Sequence, residues 1–449
     1  MTQGYYTGLS GIMSHQYGLD IVSDNIANVN TVGFRGVTSE FAELFSNVVS
    51  SAGNTPTSND IGTGSRLQAT GMITQSGSLL PTDRFSDLAI GGNGWFGVMA
   101  NNNTYYTRAG NFTFDTALKN PNDPNSSVAR LTTTQGYYVT GTMLTNYDYV
   151  EGFDYGDNDT GAYLIREPAD EVAYNAVGAQ GILELPAKLA YPVEPSTLAE
   201  FKGNLGRENA IRSISSDVIS PNNEINRLKL TFEQHVETDA SGNIIVPWDG
   251  LTWDVVATVT SNDGDTVYDT QTGQAVFDAS GGLASFTIPS VNNDGATVAI
   301  DVGTGFEGLV SIEGNEFWGR GSADGVSGGV LTKYGVNING IVSAEFSNGR
   351  QSALGRVAVY HFQNDQGLER AGDTLFTKSS NSGDPFFWTD ADGNAIPGAT
   401  IYSNMLENSN VRLDVGLTDM IIMQRAYQAN AKTITTVDEM IQKALSMRK

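Results

Sequence analysis

The strongest periodic pattern in the chain lies near its C-terminus and runs from Leu413 to Leu445 as LDVGLTDMIIMQRAYQANAKTITTVDEMIQKAL. An apolar residue recurs there every seven positions, and a second apolar line follows four residues behind the first. No proline interrupts the pattern. It predicts one long amphipathic helix over about residues 410–447, with a seam that we expect to drive self-assembly and that consists of Leu413, Leu417, Met420, Tyr427, Ile434 and Ile441.

A second apolar seam lies at the opposite end of the chain, between about Thr7 and Val29. Its residues recur three and four positions apart, and Asn28, Asn30 and Gly33 then stop the pattern. Two seams at opposite ends imply that the ends pack together, with everything else inserted between them. Because two such faces bury too little to offset the entropy of ordering two long helices, we expect them to find further partners in other copies of the chain. The N-terminal seam residues are Ile12, Leu19, Val22 and Ile26.

The charge of the chain is concentrated in its middle. Residues 1–70 hold two basic and five acidic groups, a net −3, and residues 404–449 hold six basic and five acidic groups, a net +1. Since the whole chain carries −25, residues 71–403 carry −23. Such acidity opposes binding to nucleic acid or to an anionic membrane, although solubility alone would explain it equally well.

Composition also bears on where in or outside the cell the protein is found. The chain has no cysteine and no apolar run of 18 residues, so we expect no disulfide and no membrane span. The N-terminal residues lack the basic region and apolar core of a secretion signal. An exported protein with this sequence would therefore leave the cell without a cleaved signal peptide.

The region between the two helices predicts β structure. Apolar and polar residues alternate in short runs, and Asn, Asp and Gly clusters separate the runs. Strands are expected from Arg227 to Phe232, from Leu251 to Val259 and from Val336 to Val342, and a hairpin is expected between the runs 95–99 and 104–107. A short amphipathic piece is expected from Val37 to Val48, and a linker or extended arm from Ser50 to Gly64. The fold class is therefore α+β, discontinuous and multidomain, with coiled-coil-like terminal helices and two mainly antiparallel β domains.

The domain boundaries follow from the same patterns. We expect residues 1–70 and 404–449 to form a terminal helical assembly domain. Residues 71–195 and 330–403 should form an inner β domain, and residues 196–329 an outer β domain inserted into the inner one. Pro186, Pro192 and Pro195 mark the crossing between the two β domains.

No motif in the sequence supports catalysis. Gly92-x-Gly94-x-x-Gly97 matches a dinucleotide fingerprint, but it leads into another strand and not a helix, which favours a β-turn. Asp390-x-Asp392-x-Asn394 begins like a calcium loop, yet Ala395 and Ile401 stand where glycine and a bidentate carboxylate are needed, which favours a plain turn. We therefore expect no catalytic residue, no cofactor and no metal.

Other residue types leave two interpretations open. The three histidines are far apart in sequence and have no partner at metal-ligand spacing. Acidic pairs could serve a glycosidase, but among 50 acidic residues such pairs arise by chance. Five tryptophans could mark a sugar-binding surface, although core packing of a β domain is the commoner explanation.

Both ends of the chain carry specific motifs. Residues 23–35 read SDNIANVNTVGFR, and residues 423–432 read MQRAYQANAK. These resemble the terminal signatures of the bacterial flagellar rod and hook proteins, and the likeness extends over about 1–150 and 330–449. The motif positions are Asn25, Ala27, Asn28, Asn30, Thr31, Gly33, Phe34, Gln424, Arg425, Tyr427 and Asn430.

The resemblance implies a structural subunit and not an enzyme. Within the family, the extra region at 196–329 favours a hook subunit, which would assemble helically with copies of itself into a curved hollow tube that joins rod to filament and transmits torque. The stretch from Ser50 to Gly64 resembles the longer arm of distal rod subunits, so a rod subunit stays an alternative, as does a secreted acidic glycan-binding or hydrolytic protein. The family implies an extracellular position in the hook and basal body. Its implied partners are rod, hook cap and hook–filament junction proteins and the type III export apparatus, with no nucleic acid and no membrane insertion.

Overall fold

The computed structural model describes residues 2–48, 60–118, 127–154, 160–208, 210–238, 244–246, 250–314 and 316–447. The predicted arm from Ser50 to Gly64 lies largely outside these residues, as does Trp248. In the described parts the chain contains two long helices at its ends and mainly antiparallel sheets between them. The expected α+β composition is therefore confirmed.

Two helices occupy the predicted ends. Helix α1 spans Thr2–Ala27 and helix α2 spans Leu413–Ser446. The N-terminal helix ends where the sequence predicted, because Asn28 turns back and donates from its side chain to the carbonyl oxygen of Asp24 at 2.9 Å. In α2, Asp414 lies in the first turn and Lys443 in the last, which matches the sign of the helix dipole at each end.

The strands fall into three groups along the chain. Those before residue 192 are β1 (Val37–Glu43), β2 (Ser46–Val48), β3 (Asp60–Gly62), β4 (Ser65–Met72), β5 (Leu79–Pro81), β6 (Leu88–Gly91), β7 (Trp95–Ala100), β8 (Asn103–Thr107), β9 (Thr113–Leu118), β10 (Ser127–Thr132), β11 (Tyr138–Met143), β12 (Tyr147–Asp154), β13 (Thr160–Ile165), β14 (Gly181–Ile182), β15 (Glu184–Pro186) and β16 (Leu189–Tyr191). The middle group comprises β17 (Leu198–Asn204), β18 (Arg212–Ile219), β19 (Ile225–Gln234), β20 (Glu237–Thr238), β21 (Ile244–Val246), β22 (Thr252–Ser261), β23 (Val267–Phe277), β24 (Gly282–Phe286), β25 (Ser290–Asn293), β26 (Ala296–Asp301), β27 (Gly305–Val310) and β28 (Trp318–Ala323). The last group comprises β29 (Gly329–Val336), β30 (Ile341–Phe346), β31 (Gln351–Val357), β32 (Val359–Tyr360), β33 (Glu369–Gly372), β34 (Leu375–Thr377), β35 (Trp388–Thr389), β36 (Ala395–Ile396), β37 (Thr400–Ser403) and β38 (Met405–Glu407).

Two large sheets hold most of these strands. One combines strands of the first and last groups in the order β12-β13-β16-β29-β30-β31-β11-β7-β8-β34-β33, with β9, β10, β14, β15 and β32 paired alongside. The other uses only the middle group, in the order β18-β19-β22-β23-β24-β27-β17-β26-β25, with β28 on β17. Each sheet has its own apolar cluster, one around Phe96 and Leu354 and one around Phe201 and Trp253.

Side-chain alternation explains the middle sheet. Along β19 and β22 buried and less buried residues alternate almost without a break, as expected for strands with one face on a core. The predicted runs from Arg227 to Phe232 and from Leu251 to Val259 are therefore confirmed as strands. The same holds for the predicted hairpin of β7 and β8, where Asn101 and Asn102 adopt positive φ values of 49° and 65° that suit a two-residue turn.

Two local predictions are wrong. The run from Val336 to Val342 is not one strand, because Asn339 and Gly340 adopt φ values of 85° and 75° and turn the chain between β29 and β30. The piece from Val37 to Val48 forms β1 and β2, and its apolar residues do not share one face, because Phe41 lies 5.7 Å from the His15 ring whereas Phe45 is 77% exposed. Strand β1 pairs antiparallel with β4 to make a two-stranded ribbon beside α1.

Short strands join the two ends of the chain. Strand β5 pairs antiparallel with β38, and β6 pairs antiparallel with β37. The segment that leaves α1 also runs beside the segment that enters α2, because the Gly33 amide donates to the Glu407 carbonyl oxygen at 2.8 Å and the Asn410 amide donates to the Phe34 carbonyl oxygen at 3.3 Å. These pairings bring the terminal helices next to each other.

Candidate assembly surface and the junction behind it

Helices α1 and α2 lie antiparallel and close together because glycines line the face of α1 that contacts α2. A Cβ placed on Gly8 would lie 2.9 Å from Cγ1 of Ile434, and one placed on Gly11 would lie 2.7 Å from side-chain atoms of Asn430. Larger residues at these positions would push the helices apart. The glycine contacts between the helices are Gly4 with Val437, Gly8 with Ile434, Gly11 with Asn430, Gly18 with Met423, and Gly416 with Ile26.

The ribbon of β1 and β4 covers another side of α1. The Ser14 hydroxyl donates to the carbonyl oxygen of Ser65 at 2.8 Å, and the rings of His15 and Phe41 lie 5.7 Å apart. Burial lowers the pKa of His15. Helix α1 is thus held between the ribbon and α2, whereas α2 has no buried residue among those described.

Large apolar side chains remain exposed on both helices. Ile421 is 59% exposed and Tyr17 is 56% exposed, although each sits in a regular helix. Soluble proteins seldom leave a contiguous apolar patch of this kind without an interaction partner. The exposed set is Tyr5, Tyr6, Met13 and Tyr17 on α1, and Leu413, Val415, Leu417, Ile421, Ile422, Tyr427, Met440 and Leu445 on α2.

The predicted seam residues divide between the intramolecular contact and this exposed surface. Val22 is buried, and Ile12, Leu19, Ile26, Met420, Ile434 and Ile441 are half-buried. Leu413, Leu417 and Tyr427 are exposed. The structure therefore brings part of the seam together within one molecule, and the assembly role of the whole set stays a prediction.

Sequence reasoning missed the glycine face. Gly4, Gly11 and Gly18 are seven residues apart, and Gly8 lies between them on the same side. On α2 the facing line of Gly416, Met423, Asn430 and Val437 has the same period. The seven-residue spacing of glycines was the available signal, but apolar periodicity drew attention to the larger side chains instead.

The N-terminal motif residues build the turn that leaves α1. The Asn25 side chain donates to the Val37 carbonyl oxygen at 2.7 Å and accepts from the Val37 amide at 2.9 Å. Gly33 has a φ of 67°, and a Cβ there would lie 2.3 Å from the amide nitrogen of Ala109, so only glycine fits. Phe34 is buried beneath the guanidinium of Arg370, 5.0 Å from its ring centre.

The remaining motif residues lie nearer the surface. Thr31 donates from its hydroxyl to the Asn28 side-chain oxygen at 3.1 Å, which stabilises the same turn. Asn430 donates to the Ala426 carbonyl oxygen at 3.0 Å and packs against α1. The exposed motif residues are Ala27, Asn30, Gln424, Arg425 and Tyr427.

A buried ionic cluster fastens the two chain ends to the β structure. Glu407, on β38, lies between Arg35 and Arg108, with N–O distances of 3.0 Å and 3.5 Å. The carboxylate also accepts from the Gly77 amide at 2.8 Å, and the Glu407 carbonyl oxygen accepts from the Gly33 amide at 2.8 Å. The side chains in this cluster are at most 2% exposed.

Burial disfavours the charged forms of the two arginines in this cluster. Desolvation lowers the pKa of Arg108 to about 10 and also lowers the pKa of Arg35, while the nearby Glu407 carboxylate acts against both shifts. Backbone carbonyl groups supply further acceptors, since Arg35 donates to Gln75 and Arg108 donates to Gly92. The N-terminal motif contains Arg35, but its partner Glu407 had no local signal in the sequence.

The motifs tested for chemistry behave as turns. Gly92 and Gly94 have positive φ values in the loop between β6 and β7, and Asp390 accepts from the amides of Asp392 and Asn394 at 3.0 Å and 2.8 Å. Within the described ranges no group of three acidic or histidine side chains is arranged to hold a metal ion. Helices long and apolar enough to cross a membrane are likewise absent from the described residues.

The tryptophans are only partly accounted for by core packing. Trp95 and Trp253 are buried, in agreement with that interpretation. Trp318 and Trp388 are more than half exposed, so core packing is the wrong explanation for these two.

The fold and surface define a class of protein. Two terminal helices pair around inserted β structure and present apolar side chains outward, which is the organisation of a subunit built for self-association. Three family models match the chain: "Flagella basal body rod protein" over 6–35, "Flagellar hook protein FlgE/F/G D1 domain" over 89–151, and "Flagellar basal body rod FlgEFG protein C-terminal" over 402–447. Both ends of the chain and part of its β structure are therefore similar to the flagellar rod and hook proteins.

Relatives align along the entire chain. The flagellar hook protein FlgE of Borreliella burgdorferi is 27% identical over 475 residues, covering 100% of both chains. FlgE of Salmonella typhimurium is 27% identical over 450 residues, covering 98% of both chains. Among solved structures, the flagellar hook protein FlgE2 of Helicobacter pylori matches with a TM-score of 0.46 and 14% identity, covering 73% of this chain and 100% of that one.

Proposed function

We propose that this chain is the structural subunit of a bacterial flagellar hook, and that many copies assemble helically into a curved hollow tube that joins rod to filament and transmits torque. Full-length similarity to hook proteins supports the identity of the assembly. The observation that carries self-assembly is the exposed apolar surface on the paired terminal helices. Exposing these apolar side chains to water is unfavourable in a monomer, and their burial against other copies would remove that cost.

The distribution of polarity around α2 supports a tube. With 100° per residue, its side opposite α1 carries mainly polar groups together with the exposed Ile421, whereas other apolar residues flank that side on both edges. This pattern is expected for a helix that packs against α1 on one side, contacts neighbouring subunits at its two flanks and faces a water-filled channel on the remaining side. The polar residues on that side are Asp414, Arg425, Gln428, Lys432, Glu439 and Lys443.

The predicted domains fit this arrangement as parts of the proposal. Residues 1–70 with 404–449 would form the inner layer, 71–195 with 330–403 the wall, and 196–329 the outer layer. The inner layer is nearly neutral, while the middle of the chain carries −23. Like-charged outer parts repel and stay hydrated, so they would slide past one another as the tube bends and rotates.

The family also suggests location and partners. We propose an extracellular position in the hook and basal body, export through the type III apparatus without a cleaved signal peptide, and contacts with rod, hook cap and hook–filament junction proteins. The chain would act mechanically, with no catalytic step.

Replacing both Leu417 and Met420 by aspartate tests the proposal. The full chain should form tubes in high sulfate, which strengthens apolar burial, and the variant should not. The matched control places the same two charges on the polar side of α2, as Gln428→Asp with Thr436→Asp, and should still assemble. Electron microscopy and sedimentation give the readout, and circular dichroism should show unchanged β structure. Tubes from the Leu417/Met420 variant would contradict the proposal.

The shape of the tubes separates the two flagellar alternatives. A hook subunit should give curved tubes, because its subunits adopt different spacings around the circumference. Straight, rigid tubes would favour a rod subunit.

A further inference from the structure

Three parts of the chain meet at one point on α1. A Cβ placed on Gly18 would lie 3.1 Å from the sulfur of Met423 on α2 and 3.1 Å from Cζ of Phe41 on β1. His15 lies three residues before Gly18, so the two positions are neighbours on the helix surface. The rings of His15 and Phe41 are 5.7 Å apart. We call the meeting point of His15, Gly18, Phe41 and Met423 the three-way contact.

His15 carries the titratable ring of this contact. Its Nδ1 atom is buried and has no hydrogen-bond partner among the described residues. In the neutral ring this atom is one unsatisfied acceptor. Protonation of the ring would instead leave a charged N–H donor buried without an acceptor, which is much more costly. Burial accordingly lowers the pKa of His15.

No counter-charge lies close to His15. Residues 1–19 contain no lysine, arginine, aspartate or glutamate. On α2, Tyr427 is level with His15 and uncharged, whereas Asp419 faces α1 roughly 11 Å further along the axis. The other charged groups on the elements packed around His15 are all exposed, namely Asp20 on α1, Glu40, Glu43 and Arg66 on the ribbon, and Arg425 and Lys432 on α2.

The separation from these groups decides what protonation does. A carboxylate beside the ring would stabilise the imidazolium and hold the contact together, but burial is the cause that acts on the pKa of His15 and no carboxylate opposes it. A charged ring is therefore better accommodated in water than in the three-way contact.

We propose that protonation of His15 opens the three-way contact, so that the ribbon and α2 separate from α1 in mildly acidic solution. The open form takes up the proton before the closed form does, and opening therefore becomes more favourable as the pH falls below 6.5. The inference adds a pH dependence to the proposed function, because these elements belong to the proposed inner layer. Subunits would hold their terminal elements together in neutral solution and loosen them in acid.

Thiol reactivity tests the opening, since the chain has no cysteine of its own. Ser14→Cys places a thiol beneath the ribbon, where Ser14 is 2% exposed and its hydroxyl donates to the Ser65 carbonyl oxygen. Gln16→Cys places a thiol at an exposed position two residues away on the same helix. Each full-length, unassembled variant is labelled with a maleimide at about pH 7.5 and at about pH 5.5. Dividing the first labelling rate by the second removes the pH dependence that the two thiols share.

The rate ratio of Ser14→Cys to Gln16→Cys should be well below one in neutral solution and should rise several-fold in acid. With an ordinary pKa of 6.5 in the open form, the rise between these two pH values has a ceiling of about tenfold. His15→Gln cannot titrate, so in that background the ratio should not change with pH. His15→Leu repeats the test with an apolar side chain. The matched control, His235→Gln, removes a histidine beside β19 and should leave the rise intact.

A rise that persists in both His15 variants would overturn the assignment to this residue. A ratio that stays constant in the chain with His15 intact would overturn the opening itself, as would equal labelling of the two thiols in neutral solution. These measurements use the unassembled chain and do not depend on tube formation. Failure of the pH-dependent opening is thus distinguishable from failure of the proposed function, which absence of tubes in high sulfate would show.

Discussion

Removing the Glu407 carboxylate should release both chain ends from the β structure. Glu407 is the acid that Arg35 and Arg108 share, at 3.0 Å and 3.5 Å, and its side chain is 1% exposed. Glu407→Ala would leave two buried guanidinium groups without that partner. Breaking a buried pair in this way costs about 3–5 kcal/mol. The expected effect is local, because the cluster connects the turn after α1, strand β38 and the loop at Gly77.

Hydrogen exchange measured by mass spectrometry can detect that local loss. At 1.4 kcal/mol per tenfold, amide exchange in the affected segments should accelerate by about two to four powers of ten. The amides to follow are those of Gly33 and Gly77, which donate to the Glu407 carbonyl and carboxylate oxygens. Exchange in the middle sheet, around Trp253, should not change.

The matched control removes an exposed acid from an ion pair. Glu200 lies 3.2 Å from Lys202, and both side chains are largely exposed, so Glu200→Ala should change stability by no more than about 1 kcal/mol. Glu407→Gln keeps an acceptor for the Gly77 amide and should fall between the two. If Glu407→Ala accelerates exchange no more than Glu200→Ala does, the cluster does not hold the junction.

Two further predictions concern pH and backbone conformation. Burial lowers the pKa of His361 below its ordinary value of 6.5, so on acidification the unfolded chain takes up this proton before the folded chain does. The free energy of unfolding should therefore fall as the pH drops from above 6.5 towards the pKa of His361 in the folded protein. The fall is at most about 1.4 kcal/mol per pH unit. Urea unfolding at about pH 7.5 and about pH 5.5 should show a smaller difference for His361→Gln, and an unchanged difference would contradict this assignment. Gly33→Ala should destabilise the junction well beyond the roughly 1–2 kcal/mol expected for Gly136→Ala, because both glycines have positive φ but only Gly33 would clash, at 2.3 Å from Ala109. Equal thermal unfolding midpoints for the two variants would show that the close approach does not matter.

Sequence periodicity predicted the elements whose signal is local. Both helices and the hairpin of β7 and β8 follow from residue spacing and turn chemistry, and they were found where expected. The error at 336–342 has a local cause as well, because Asn339-Gly340 is a strong turn signal that the apolar residues on either side obscured.

The junction could not be predicted from residue patterns because its members are distant in sequence. Glu407 pairs with Arg35 across more than 370 positions, and the pairing depends on strands β5 and β38 lying side by side. No periodic pattern encodes such a pairing. The N-terminal motif combines several separate constraints, namely side-chain hydrogen bonds at Asn25, a close backbone approach at Gly33 and a buried charge at Arg35.

The glycine face changes how the apolar seams should be understood. If large side chains had filled the contact between α1 and α2, that contact would have used up the apolar surface of the chain ends. Because α1 contributes Gly4, Gly8, Gly11 and Gly18 to the contact, side chains of α2 such as Met423 and Ile434 pack closely against the α1 backbone. Tyr17 and Ile421 lie on other sides of the two helices and stay exposed, which is where the proposed assembly would use them.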